Sequence, residues 1–339
     1  VSGYMIETNG LTKRFGDLVA VNDISIKIKA GTIHGFIGPN GAGKTTTMKI
    51  LIGALHPTEG SGTIKGFRIG SLEAKKVFGF SPEHPKFYEN MHAYEYLVYI
   101  GRVSGLGGKK AGERAAELLK WLELDEFAGK KVGGFSAGMR QKLSLAQAMI
   151  HEPELLILDE PTANLDPAGR VNIINKLRQL CRERGLTVFI SSHILSELEK
   201  IVDEVTIISH GRMVTESGIK KLEAQYAGSE YLLKTPEGPA ILKSLQSRSF
   251  VHKAWSDESG TIHIVAAGDE SSFRRGIVKT LAASSAALEA FGVASSDLEQ
   301  VFMKLVGESD QKMEKKKERA GFRLPFLHRK NKESGGAGK

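Results

Sequence analysis

Gly38-Pro39-Asn40-Gly41-Ala42-Gly43-Lys44-Thr45-Thr46 decides the reading of this chain, because its core has the form G-x-x-x-x-G-K-T of a phosphate-binding loop. Each residue type serves a purpose. Glycine lets backbone N–H groups turn inward around phosphates with no Cβ in the way. Lys44 has the reach for β- and γ-phosphates, and the Thr45 hydroxyl suits Mg²⁺. Thr32-Ile33-His34-Gly35-Phe36-Ile37 before the loop reads as a buried strand. Lys44 to Leu55 after it reads as a helix whose N-terminus faces the anion. Strand and helix flank the loop in the order a nucleotide site requires.

Other segments narrow the chemistry. Leu155-Leu156-Ile157-Leu158-Asp159-Glu160 is an apolar run that ends in two carboxylates. A buried central strand of this kind places Asp159 near Mg²⁺ at the sheet's C-terminal edge, and Glu160 can then polarise an attacking water. Phe135-Ser136-Ala137-Gly138-Met139-Arg140-Gln141-Lys142 precedes an apolar helix, so Ser136 and nearby N–H groups stand at a helix start suited to an anion. Asn164-Leu165-Asp166-Pro167 reads as a turn after the acidic strand. Val188-Phe189-Ile190-Ser191-Ser192-His193 reads as a further strand, with a histidine at the same sheet edge.

From Met5 to about Glu216 these motifs, in this order and spacing, make the chain resemble an ATP-binding cassette (ABC) ATPase. The resemblance implies an α/β fold: a P-loop NTPase core with a mostly parallel sheet and an inserted helical lobe. It implies ATP and Mg²⁺ as ligands, with Gly38 to Thr46 (Gly38, Pro39, Asn40, Gly41, Ala42, Gly43, Lys44, Thr45 and Thr46) as the Walker A loop. By the same likeness Phe15 stacks on adenine, Asp159 ends the Walker B strand, Glu160 is the catalytic base and His193 senses the γ-phosphate. Asp166 falls in the D-loop, and Ser136 with Gly138 belongs to the signature segment, which closes on ATP held by the opposite subunit. Thr45, Asp159 and Glu83 are the implied metal-side residues.

Two departures stand out. The signature reads Phe135-Ser136-Ala137-Gly138-Met139 where L-S-G-G-Q is usual, and Glu83 replaces the glutamine of the Q-loop. Glu83 keeps an oxygen for Mg²⁺ but adds a charge. These forms, with the C-terminal run Ser295-Ser296-Asp297-Leu298-Glu299-Gln300-Val301-Phe302, resemble the separate-chain ATPases of exporters for drugs, lipids or polysaccharides. The implied partners are a separate polytopic permease and a second cassette, as a homodimer or a mixed pair. The permease's cytosolic helix is expected to dock beside Glu83 and the aromatic segment Phe87 to Tyr99. Such a protein sits on the cytoplasmic face of a membrane.

Organisation follows from pattern. Residues 5–216 read as the nucleotide-binding domain, with a helical lobe at about 81–150, residues 217–307 as an α+β accessory domain, and 308–339 as a basic disordered tail. In the lobe, Tyr94, Leu97 and Val98 share one face, and Ala115, Leu118, Leu119 and Leu122 another. In the accessory region three strand-like runs and a helix from Ser271 to Ala283 are expected, then a helix capped by Ser296-Asp297-Leu298-Glu299. Leu298, Val301, Phe302 and Leu305 form an apolar stripe on that last helix, read as core.

Composition limits the remaining classes. The chain has 339 residues and a net charge of +8, of which Ser309 to Lys339 carries +6. The rest is near neutral, so no nucleic-acid footprint is expected across the domain. The tail reads as solvated; the alternatives are contact of its basic and apolar groups with an anionic membrane surface or a partner, or with nucleic acid. No apolar stretch approaches a membrane span, Val1 to Met5 lacks a signal-peptide layout, and the single Cys181 fits a reducing cytosol. The competing reading is a non-transport cassette acting on ribosomes or DNA. One cassette without sustained heptads argues against it.

Overall fold

The apolar runs around the loop build a sheet that is buried on both faces. In this structure, a computed structural model, residues 3–192, 198–219, 221–222, 230–257, 259–284, 286–293, 302 and 305–307 are described. The central sheet has the order β11-β10-β4-β9-β8-β7. Its strands are β4 (Ile33–Ile37), β7 (Phe78–Ser81), β8 (Leu155–Asp159), β9 (Thr187–Ser192), β10 (Glu204–Ser209) and β11 (Arg212–Gly218). Every neighbouring pair is parallel except β10 with β11. Side-chain alternation splits each central strand between two cores. Leu155, Ile157, Phe36 and Phe189 enter one core, and Leu156, Leu158, Ile37, Val188 and Ile190 the other. Burial on both faces explains why these strands read as continuous apolar runs.

The central sheet is mostly parallel, as expected, but not every strand from Met5 onward joins it. The first strands form a separate antiparallel sheet, β2-β1-β5-β6, with β3 also paired to β1. These are β1 (Tyr4–Phe15), β2 (Leu18–Ile24), β3 (Lys27–Lys29), β5 (Glu59–Ile64) and β6 (Phe67–Arg68). Short turns between β1, β2 and β3 leave no room for the crossover a parallel pair needs. Their apolar residues share a core with one face of the central sheet.

Helix α1 (Lys44–Leu51) is shorter than the expected run to Leu55, because Gly53 takes φ 74° and ends it. Helix α2 (Leu72–Val77) is capped by Ser71, whose hydroxyl accepts from the Ala74 N–H at 3.1 Å. The helical lobe comprises α3 (Ala93–Val103), α4 (Gly108–Trp121) and α5 (Ala137–Met149). Leu97 is buried and Val98 half-buried, whereas Tyr94 is exposed. Ala115, Leu118, Leu119 and Leu122 are all buried, as their spacing predicts. Helix α6 (Pro167–Arg184) carries Cys181, a buried thiol whose Sγ–H points at the Gly31 carbonyl oxygen 3.1 Å away.

A third sheet, β13-β14-β12-β15, is built from β12 (Glu230–Lys234), β13 (Val251–Ser256), β14 (Ile262–Ala266) and β15 (Ala290–Val293). Helices α7 (Gly238–Gln246) and α8 (Glu270–Ala283) give it a core of its own around Phe273, Ile264 and Leu245. Helix α7 and strand β15 are not apparent in the sequence pattern. The capping run Ser296 to Glu299, Val301 and the basic tail lie outside the described residues. Phe302 and Leu305 are described, and both pack on the large core that includes the lobe.

His34 in β4 has an acidity set by this burial. Its side chain is fully enclosed; one ring nitrogen (Nε2) bonds the Thr206 hydroxyl at 2.8 Å, and Nδ1 lies 4.0 Å from Glu204. Desolvation lowers its pKa to about 4. At neutral pH both folded and unfolded states leave the ring neutral. Below about pH 6.5 the unfolded chain takes up a proton that the folded chain refuses until about pH 4, so stability falls across that window. Unfolding free energies from urea titrations at pH 7 to pH 4 should therefore drop, by on the order of 3 kcal/mol from this group alone. His34→Gln should flatten that part of the profile, and an unchanged slope would refute the assignment.

Candidate active site

The loop lies where the two sheets meet, and its backbone leaves no space for side chains. A Cβ on Gly38 would stand 2.6 Å from the Ile208 carbonyl oxygen of β10. A Cβ on Gly43 would stand 2.6 Å from the Ala20 carbonyl oxygen of β2, and Gly43 also has φ 103°. Only glycine meets both demands at Gly43. The loop then passes directly into α1, presenting N–H groups at a helix start.

A cleft of about 410 Å³ opens over this loop. It is lined by Pro39 to Thr46, Ala20, Glu83, Asp159 and Glu160. Lys44 is buried, and its ammonium donates to the carbonyl oxygens of Gly38 at 2.7 Å and Pro39 at 3.3 Å. The same ammonium lies 3.8 Å from a Glu160 carboxylate oxygen. A phosphate is a stronger acceptor than these carbonyls, so one entering the cleft would compete with them for the ammonium.

Asp159 and Glu160 sit at the end of β8, 2% and 5% exposed. Ser191 of β9 links them. Its hydroxyl donates to Asp159 Oδ1 at 2.7 Å and accepts the Glu160 N–H at 3.0 Å. Glu160 itself has φ 49°, a left-handed conformation costly for a residue with a long side chain. The backbone therefore turns at Glu160, directly after the strand, and both acids line the cleft.

Glu83 follows β7 and reaches the cleft from the side, half exposed, with the His84 ring 3.8 Å from its carboxylate. The cleft thus offers carboxylate and hydroxyl oxygens. Mg²⁺ typically binds through one or two carboxylates together with substrate phosphates, rather than in an all-protein cage. Among the described residues no cluster of three His, Cys, Asp or Glu side chains could hold a metal alone. Thr45, Asp159 and Glu83 fit the first kind of site.

Other expected site residues stand apart from this cleft. Ser136 is exposed at the N-cap of α5, where its hydroxyl accepts the Met139 N–H at 3.2 Å. Gly138 packs toward the turn before α6; a Cβ there would lie 3.3 Å from Leu165. Asp166 caps α6, accepting the Gly169 N–H at 3.1 Å. Phe15 ends β1, 47% exposed, with the Lys13 ammonium 5.1 Å from its ring centre. Within one chain these groups do not line the cleft. His193 lies outside the described residues.

Sequence reasoning missed Ala20 and Ser191. Ser191 had a visible signal, a hydroxyl near the end of a strand expected beside the acidic one. Ala20 had none, because its contribution is a backbone oxygen against Gly43. Among the described residues no helix is long and apolar enough to cross a membrane.

Comparison with known proteins accords with this geometry. The family model for ABC transporters matches residues 21–163. The bacitracin transport ATP-binding protein BcrA of Bacillus licheniformis is 36% identical over 311 residues, covering 89% of this chain and 97% of that protein. The linearmycin resistance ATP-binding protein LnrL of Bacillus subtilis is 33% identical over 314 residues, covering 90% of this chain and 99% of that one. A solved dimeric ATP-binding cassette, in a post-hydrolysis state bound to ADP and Pi, superposes with a TM-score of 0.59 at 26% identity. It covers 63% of this chain and 99% of its own. A phosphate loop seated between two sheets, paired acids at the neighbouring strand end and relatives matched over nearly their whole length lead to one conclusion: the chain belongs to the ABC transporter family, as an ATP-binding subunit that hydrolyses ATP.

Proposed function

We propose that this subunit couples ATP hydrolysis to export through a separate membrane-spanning permease. The observation that carries the reading is the convergence of Lys44, Asp159 and Glu160 on one cleft over the phosphate loop. The export direction draws support from relatives named for bacitracin transport and linearmycin resistance, matched over most of this chain. A Nod factor export ATP-binding protein I from Burkholderia lata is 34% identical over 256 residues.

In this proposal the loop N–H groups and Lys44 hold the β- and γ-phosphates of ATP. Thr45, Asp159 and Glu83 hold Mg²⁺, which when bound supplies charge neutralisation on the phosphate oxygens. Glu160 accepts the proton of the attacking water. The turn at its left-handed backbone frees its carboxylate from the position Asp159 occupies, so one carboxylate serves the metal side and the other the water. Its carboxylate, 3.8 Å from the Lys44 ammonium, stands close to where that lysine meets the phosphates. Phe15, with its exposed ring, stacks on the adenine, and His193 senses the γ-phosphate.

Ser136 and Gly138 complete the site from a second cassette. Ser136 is exposed and Gly138 half-buried at the start of α5, away from this chain's own cleft, which supports that trans role. Asp166 lies beside them at the start of α6 and joins the same dimer face. The permease meets the aromatic surface of the lobe. Tyr88, Tyr94 and Tyr99 are exposed there. Tyr88 packs edge-on against Tyr96 and Tyr99, and a groove of about 650 Å³ runs along Tyr94, Val98, Tyr99 and Arg102.

Two measurements test this reading. Glu160→Gln should bind ATP normally yet lose about 10²- to 10⁴-fold in turnover, since that is the usual contribution of a positioned base. Retained wild-type turnover would remove Glu160 from that role. The same variant, tagged and held closed by ATP, should recover a stoichiometric polytopic membrane protein from detergent-solubilised native membranes. Recovery of ribosomes or nucleic acid instead would move the protein to the non-transport cassettes.

A further inference from the structure

A second cavity, of about 350 Å³, opens at the opposite edge of the central sheet from the nucleotide cleft. Its wall includes Glu152, Pro153 and Glu154, which join α5 to β8, together with Arg184, Gly185 and Leu186 ahead of β9. The lobe contributes Arg114 of α4 and Met149 of α5, so the cavity spans the junction between lobe and core. Glu152 holds φ 57°, a left-handed backbone that keeps this junction sharply bent.

The lining is amphipathic. Met149, Leu156, Leu180 and Leu186 are buried and supply an apolar floor. Arg114 supplies the polar end. The residue is 7% exposed, and its Nε has no hydrogen-bond partner. Two of its other nitrogens are engaged, by Glu117 at 2.6 Å and the Met149 carbonyl oxygen at 3.3 Å. Glu152 stands 3.7 Å from Nε, beyond hydrogen-bond reach. A buried guanidinium N–H without a hydrogen-bond acceptor is expensive, and here the residue that carries it borders a cavity large enough to admit one. Arg184 lines the same cavity from its exposed rim and adds a second guanidinium, one nitrogen of which lies 3.8 Å from Glu117. Around the cavity the cations Arg114, Arg184, Lys110 and Lys65 face the acids Glu117, Glu152 and Glu154, which leaves the cations one in excess.

We propose that this cavity is a binding site for a small anionic amphiphile, a carboxylate on a short apolar body. The headgroup accepts from Arg114 Nε and Arg184, and the body lies on the Met149, Leu180 and Leu186 floor. Size agrees. At about 30 Å³ per water in the liquid, the space equals on the order of ten waters, comparable to a ligand of about ten heavy atoms. One water would satisfy the Arg114 N–H but would leave most of the apolar floor uncovered. An occupant bridges the lobe and the core at their covalent junction and shares no residue with the nucleotide cleft.

Octanoate is the probe, titrated into the full-length protein by calorimetry, with octan-1-ol as the uncharged control. The expected result is saturable binding of one octanoate per chain, unchanged by saturating ATP, and octan-1-ol weaker by at least about tenfold. Arg114→Lys, which removes the Nε donor, should weaken octanoate by about tenfold or more. Ala30→Phe is the second variant: Ala30 lines the cavity but is itself exposed, so a larger ring fills the space without disturbing the core. It should abolish binding while keeping ATP affinity and the urea midpoint. Non-saturable uptake, equal affinity for octan-1-ol, displacement by ATP, or full binding by Ala30→Phe would each overturn the proposal.

Discussion

The closeness of backbone to backbone at Gly38 and Gly43 is the constraint on which the site depends. One glycine rests against a carbonyl of the parallel sheet and the other against a carbonyl of the antiparallel sheet. The loop is thus pinned from both sides, and hydrogen bonds extend the clamp. Gly211 donates to the Ala42 carbonyl oxygen at 2.9 Å, and Asn22 donates to that of Gly211 at 2.7 Å. The phosphate cradle is therefore a product of sheet packing as much as of loop sequence. If either sheet moved, the N–H groups would lose their common focus. The shared core around Phe36, Met48, Ile157 and Ile208 resists that movement through apolar burial.

The acid pair depends on the same frame in a different way. Asp159 remains in line with β8, whereas Glu160 leaves it through a left-handed turn. Ser191 fastens both sides of that turn from the adjacent strand. Register between β8 and β9, with Asp159 opposite Ser191, is what brings the hydroxyl there. A slip of one residue would place it on the wrong face.

Much of this was legible in the chain. The glycine-rich loop, the apolar strand ending in Asp159 and Glu160, and the amphipathic faces of α3 and α4 rest on local chemistry that sequence displays directly. The antiparallel sheet was less legible, because β5, Glu59 to Ile64, is polar and glycine-rich and nothing local states which partners β1 and β2 choose. Helix α7 was hidden by its shortness, and β15 by its four-residue length with Gly292 inside it. The contributions of Ala20 and Ser191 are tertiary: one is a main-chain oxygen and the other a register partner. Gly53 shows a smaller lesson, since an apolar pattern continued past the residue that ends α1.

The alternation of β8 between two cores has a consequence for motion. Leu155 and Ile157 anchor the strand below, and Leu156 and Leu158 anchor it above, all at or near zero exposure. Its amides also bond to a strand on each side, β7 and β9. Such a segment opens to solvent only when the whole domain unfolds, so its backbone protons rank among the slowest to exchange. The two acids at its tip are thereby mounted on the most persistent part of the molecule. Loops and lobe can fluctuate around them on faster timescales while the reacting edge keeps its place.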